Sequence, residues 1–156
     1  MNIRIIAVGK LKEQYFKDIL NEYKKRLSGF CTFSVTEIAA EQIIDEILAE
    51  KYKELEADKI LQALKQNSYI ITLEIKGKKL SSENFAEKIK EISNTGINDI
   101  SFIIGGANGL SKKISDIANF KLSFSDMTFT HQMIRILLAE QIYRTFKINA
   151  NEPYHR

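Results

Sequence analysis

The apolar positions of the chain alternate between short β-branched runs and longer stretches of helical period. Ile3–Val8 reads as a strand, and Lys12–Leu27 as a helix with Tyr15, Phe16, Ile19, Leu20, Tyr23 and Leu27 on one stripe. Thr32–Ile38 is a second strand. Glu41–Lys65 carries a long amphipathic pattern through Ile44, Ile47, Leu48, Tyr52, Leu55, Ile60, Leu61 and Leu64. Ser68–Ile75 is almost continuously apolar, as a parallel strand buried on both faces should be. A helix then opens at Ser81 or Ser82, either of which suits an N-cap, and ends near Gly96. Asp99–Ile104 is a strand, Gly105–Gly109 a glycine-rich turn, Ser111–Ala118 a short helix and Phe120–Phe124 a last short strand. Thr130–Asn149 is helical, and Pro153 leaves a short extended tail. This strand–helix alternation predicts an α/β fold with a mainly parallel sheet flanked by helices.

The last helix departs from the usual pattern. Met133, Ile134, Ile136, Leu137, Leu138, Ile142, Phe146 and Ile148 spread over more than half its circumference, wider than one sheet face requires. Two explanations stay open: deep burial within one chain, or a second contact with another copy in a dimer.

With 156 residues, the chain fits one domain, taken as residues 1–156, large enough to bury a core without metals or disulfides. The lone Cys31 has no internal partner and fits a reducing, intracellular setting. The run Ile3–Val8 is broken by Arg4 and is far too short for a signal or membrane segment, so a cytoplasmic protein with no membrane contact is expected. The net charge of +3 is modest but unevenly placed: basic residues dominate both ends, acidic ones the stretch Glu37–Asp58. Such a chain can turn a cationic face to nucleic acid, although solvated helix faces would look the same.

The first βα turn, Val8-Gly9-Lys10-Leu11, lacks the G-x-G-x-x-G of dinucleotide binders, and no P-loop occurs. The glycines of Gly105-Gly106-Ala107-Asn108-Gly109 instead follow the fourth strand, where α/β folds bind ligands. A tight structural turn is the plainer reading of the same residues. His131 and His155 are the two histidines, and neither has ligand-spaced partners, so a zinc site is excluded and no metal is expected. No serine sits in a nucleophile elbow. His131 opens the last helix, with Thr130 or Thr128 as cap. Glu140 and Arg144 form an i,i+4 pair. Tyr154-His155-Arg156 set an aromatic face, a titratable imidazole and a guanidinium side by side, a set able to stack on a base, move a proton and hold a phosphate.

From end to end the chain resembles the large-subunit ribosomal RNA methyltransferase H family, small members of the SPOUT (trefoil-knotted) class. The likeness rests on Ala7–Glu13, Glu22–Leu27, Thr72–Lys78, Ile104–Leu110, Leu122–Ser125, Met127–Phe129, His131-Gln132 and Tyr154–Arg156, in that order and spacing. The resemblance implies a homodimeric enzyme with a C-terminal trefoil knot. It implies methyl transfer from S-adenosylmethionine to N3 of a pseudouridine, in a stem-loop of 23S rRNA on the assembled ribosome. Carried over residue by residue, the cofactor pocket would comprise Leu73, Gly105 and the loop Phe124, Ser125, Asp126, Met127, Thr128 and Phe129. One departure is Thr130, where the family commonly has proline; Thr offers a cap in place of a preset φ.

The same resemblance frames the expected chemistry. N3 must lose its proton before or during attack, and His155 is the candidate to orient the base or accept that proton. Arg156 and Arg144 would stabilise negative charge, and Tyr154 would stack. The tail is expected to reach the partner subunit's cofactor pocket. Two other readings remain on the residues alone: a non-catalytic ribosome-associated binding protein, and a nucleotide-binding domain using Gly105–Gly109 as an anion cradle.

Overall fold

The computed structural model describes residues 1–41 and 48–154. Its elements, in order, are β1 (Asn2–Val8), α1 (Gln14–Leu27), β2 (Thr32–Ile38), α2 (Ala49–Ala63), β3 (Tyr69–Lys79), α3 (Ser82–Asn94), β4 (Asp99–Ile104), α4 (Lys112–Asp116), β5 (Phe120–Ser123) and α5 (His131–Asn149). The five strands form one sheet in the order β2-β1-β4-β3-β5, and every pairing is parallel. The expected α/β class is therefore the observed one.

Strand alternation builds two cores. Ile3, Ile5 and Ala7 of β1 face one side, with Phe102, Ile104, Phe85, Ile89 and Leu138. Ile6 and Val8 face the other, with Ile103, Ala57, Ile60 and Ile114. Helices α1, α3 and α5 cover the first face and α2 with α4 the second. Each such side chain contributes about 1.5–3 kcal/mol on leaving water. The continuous apolar character of β3 and β4 follows from this two-sided burial.

Element boundaries differ from expectation where local chemistry overrides the apolar pattern. Helix α2 ends at Ala63, two residues earlier than expected, and Glu41 is not helical; the expected positions 42–47 lie outside the described residues. Strand β5 stops at Ser123, one residue short of expectation. Strand β3 runs four residues past Ile75, to Lys79. Its ladder with β5 breaks after Leu73↔Leu122 and resumes at Lys78↔Leu122, so Glu74–Gly77 form an arch between two paired segments. Gly77 makes the arch possible: a Cβ there would lie 2.7 Å from the Leu122 carbonyl carbon.

Helix α5 buries Ile136, Leu138, Ala139, Ile142 and Thr145, and half-buries Ile134, Tyr143 and Phe146. Burial within one chain thus accounts for much of its wide apolar face. Thr130 caps it, its hydroxyl accepting from the Met133 N–H at 3.2 Å, so the residue standing where the resemblance led to an expectation of proline starts the helix.

Candidate functional site

At one side of the sheet β4 and β5 end and the first paired segment of β3 breaks off. The register sets Leu73 beside Ile104 and beside Leu122, so the turns after β4 and β5 and the arch after Leu73 must leave from one spot. They enclose a cleft lined by Leu73, Glu74 and Ile75, by Ile104–Ala107 and Gly109, by Leu122–Ser125 and Met127–Phe129, and by His131 and Ile134 at the start of α5. Crevices beyond the carboxyl ends of parallel strands are where folds of this kind bind ligands.

The walls combine two kinds of surface. Leu73, Ile75, Phe124, Met127 and Phe129 supply apolar contact. The loop 124–129 supplies polar main chain: none of its amides or carbonyls takes part in a backbone–backbone hydrogen bond. Two of these groups are met by serine hydroxyls. The Met127 N–H donates to Ser125 Oγ at 2.9 Å, and the Ser125 carbonyl accepts from Ser123 Oγ at 3.2 Å. Main-chain groups left over at the edge of an apolar slot suit a flat heterocycle with its own donors and acceptors. Gly105 fixes the floor. A Cβ there would sit 2.6 Å from the Gly109 carbonyl carbon, so the turn closes on itself only with glycine.

Of the residues expected at a cofactor pocket, Leu73, Gly105, Phe124, Ser125, Met127, Thr128 and Phe129 all line this cleft. Asp126 does not; it turns outward and its carboxylate pairs with Lys79 on the arch. Glu74, Ile75, Gly106, Ala107 and His131 line the cleft in addition to the expected set. The β3–β4–β5 register, invisible in a single sequence, is what brings them in. In the sequence His131 marks only a helix start. Its ring also lies 3.1 Å from the position a Gly9 Cβ would take, and burial, with the positive charges of Arg135 and Lys12, holds its pKa below the ordinary value. A neutral imidazole, able to donate and accept, therefore stands at the cleft wall near neutral pH.

Arg135 anchors this end of α5. It is fully buried, donates to the carbonyls of Val8 (2.9 Å) and Gly9 (2.8 Å), and pairs with Glu37 at 3.1 Å. Burial pushes its pKa down and Glu37 opposes that shift. Glu37 also accepts the Leu11 N–H at 2.7 Å, tying β2, the β1–α1 turn and α5 into one polar cluster.

The candidate catalytic residues lie elsewhere. Arg144 is half-buried near the other end of α5, bound to Glu140 (2.6 Å) and stacked over the Tyr154 ring at 4.9 Å. Tyr154 packs edge-on against Tyr143, centroids 4.9 Å apart. Tyr23 joins the cluster, its pKa pushed up to about 12 by burial and by Tyr154. Neither Arg144 nor Tyr154 lines the cleft of its own chain. His155 and Arg156 lie outside the described residues. The Cys31 thiol is pushed up to about 11 by burial, which makes it a poor nucleophile.

Among the described residues no group of three or more His, Cys, Asp or Glu is placed to hold a metal, and no helix is long and apolar enough to cross a membrane.

Residues 1–155 match the family model described as predicted SPOUT methyltransferase. A putative ribosomal RNA large subunit methyltransferase H of Methanococcus maripaludis is 52% identical over 159 aligned positions, covering both chains fully. A ribosomal RNA large subunit methyltransferase H of Clostridium novyi is 49% identical, again over both full lengths. Among solved structures, a probable methylase family protein from Haemophilus influenzae shares the fold at a TM-score of 0.61 and 13% identity, over 99% of this chain and 70% of that one. A glycine-floored cleft at the strand ends and a family match over nearly the whole length lead to one conclusion: the chain belongs to the SPOUT methyltransferase family.

Proposed function

We propose that this chain, acting as one domain over residues 1–156, methylates N3 of a pseudouridine in a stem-loop of 23S rRNA on the assembled ribosome, in the cytoplasm, with S-adenosylmethionine as donor. The observation that carries the reading is the cleft itself. Loop 124–129 offers main-chain groups with no backbone partners beside Leu73, Phe124 and Phe129, a surface matched to an adenine edge and face. Those residues fit the donor. When bound, S-adenosylmethionine supplies a methyl already activated on a sulfonium, a leaving group that needs no metal.

Distance argues for a homodimer. Arg144 lies thirteen residues along α5 from His131, which at 1.5 Å per residue is about 20 Å. Arg144 and Tyr154 therefore cannot serve the cleft of their own chain without unwinding the helix. A second subunit bringing its α5 end and tail to the cleft completes the site. In that composite, the chain's residues divide the work. The cleft loops hold the donor. The partner's tail orients the base through Tyr154, takes the N3 proton at His155, and sets Arg144 and Arg156 against charge on the uracil oxygens or phosphate.

A C-terminal trefoil knot fits the same connectivity. After β5, at one edge of the sheet, the chain crosses the ends of β3 and β4 and begins α5 against β1, where Arg135 binds Val8 and Gly9. The relatives' names agree with ribosomal RNA as substrate. Mass spectrometry of 23S rRNA from a strain lacking the protein tests the reading: loss of a single N3-methylpseudouridine, restored by the purified protein with S-adenosylmethionine and ribosomes, is expected. An unchanged rRNA would overturn it. A binding protein without catalysis would leave the rRNA unchanged and give no heat on titration with the donor.

A further inference from the structure

The arch after Leu73 and the two residues that follow it carry Glu74, Lys76, Lys78 and Lys79. The ladder with β5 breaks after Leu73↔Leu122; the chain loops out through Glu74–Gly77 and re-pairs at Lys78 and Lys79. Lys76 and Lys78 are exposed, and among the described residues neither side chain has a hydrogen bond or ion pair. Nearby carboxylates are already engaged. Glu74 accepts from Thr72 (2.7 Å) and Ser115 (3.0 Å), and Asp126 pairs with Lys79. Lys76 and Lys78 thus stand beside the cleft mouth as two exposed cations without an ion-pair partner among the described residues. The mouth also exposes apolar surface: Ile75 at 62%, Met127 at 75% and Phe129 at 42%. Leaving such side chains in water is unfavourable unless something covers them.

From this juxtaposition the geometry points to the Glu74–Gly77 arch and the re-paired Lys78 as the surface that grips the acceptor RNA, Lys76 and Lys78 holding backbone phosphates while Met127 at the rim receives an unstacked base. Cations tracking a backbone beside exposed apolar and aromatic side chains are what single-stranded nucleic acid requires. Exposed lysines beside an apolar, aromatic rim suit a phosphate backbone with unstacked bases better than an acidic protein segment, which has no flat ring face to lay on that rim. The Lys79–Asp126 pair ties the arch to loop 124–129, so a strand held on the arch is held in register with the donor cleft. The inference rests on the RNA methyltransferase reading and names the surface that would meet the substrate.

The test compares the full-length protein with the double variant Lys76→Ala/Lys78→Ala, and with Lys51→Ala/Lys90→Ala on the remote helices α2 and α3 as control. Ribosome methylation is measured over a range of salt concentrations, and donor affinity by titration calorimetry. The arch variant is expected to raise KM for ribosomes on the order of 10-fold with kcat within about twofold. Its log–log salt slope should flatten by about 1.4, or about 0.7 for each phosphate that is no longer held. Its donor affinity and melting temperature should match wild type. Equal KM and equal salt slope in wild type and arch variant, with wild type active, would overturn the arch assignment alone. A similar KM rise in the control pair would overturn it too, because the effect would then be general charge. Absence of methylation by the wild-type protein would instead overturn the underlying functional reading.

Discussion

The two ends of helix α5 are built on opposite principles. The N-terminal end is locked: Thr130 caps it, and the fully buried Arg135 is held by two carbonyls and Glu37. The C-terminal end is only half-buried, where Arg144, Tyr143, Tyr154 and Tyr23 lean on each other through ring and cation contacts. The first end shapes the donor cleft and belongs to the fold. The second carries Arg144 and Tyr154, the proposed catalytic groups, with Arg144 about 20 Å from His131 along the helix. In the proposed composite site these two ends belong to different subunits, one giving its cleft and the other its tail.

Breaking the exposed end should remove activity without touching the fold. Deletion of Tyr154–Arg156 is expected to abolish methylation, with donor affinity by calorimetry within about twofold of wild type. A stable variant that turned over normally would remove the tail from the mechanism.

The arginines of the helix sharpen the contrast. Arg135→Ala leaves two buried carbonyls unpaired and should cost about 3–5 kcal/mol in denaturant unfolding. Arg144→Ala breaks a partly exposed pair with Glu140 and should cost about 1 kcal/mol or less, while lowering kcat on the order of 100-fold. A reversal of those two stability effects would show that the locked end is misidentified.

Gly105→Ala attacks the cleft itself. Its Cβ would press on Gly109 backbone 2.6 Å away, so the turn must open, and donor affinity should fall on the order of 10-fold. Unchanged affinity would mean the donor does not touch this turn.

The smallest effect concerns His131. Its pKa is lowered in the folded chain from an ordinary 6.5, chiefly by burial, so the unfolded chain takes up the proton first as pH falls. The stability it contributes is present above about pH 6.5 and is lost as pH drops through the folded-state value. Melting temperature should therefore fall less steeply with acid in His131→Gln than in wild type. Parallel curves would mean that the imidazole is not buried against positive charge.

The fold is legible in the sequence because burial on both sheet faces leaves nearly continuous apolar runs at β3 and β4, and because Ser81 and Thr130 mark helix starts. The strand order is not, since a single chain carries no record of which runs pair. For the same reason the resemblance locates Leu73, Gly105 and most of loop 124–129, while Glu74, Ile75 and His131 enter the cleft only through register. The Asp126 side chain, expected at the pocket from its place in the loop, pairs instead with Lys79 of β3, a contact that a single sequence does not show. Arg135 reads as one more helix charge; its burial depends on carbonyls of Val8 and Gly9, more than a hundred residues earlier.

The claim that one subunit's cleft works with its partner's tail is tested most directly by complementation. A cleft-defective subunit, Gly105→Val, is mixed under subunit exchange with a subunit lacking Tyr154–Arg156, each inactive alone. Mixed dimers hold one complete site, so activity should return to about a quarter of wild type at random pairing. No activity above that of the separate variants, with mixed dimers demonstrated by mass, would contradict the shared site.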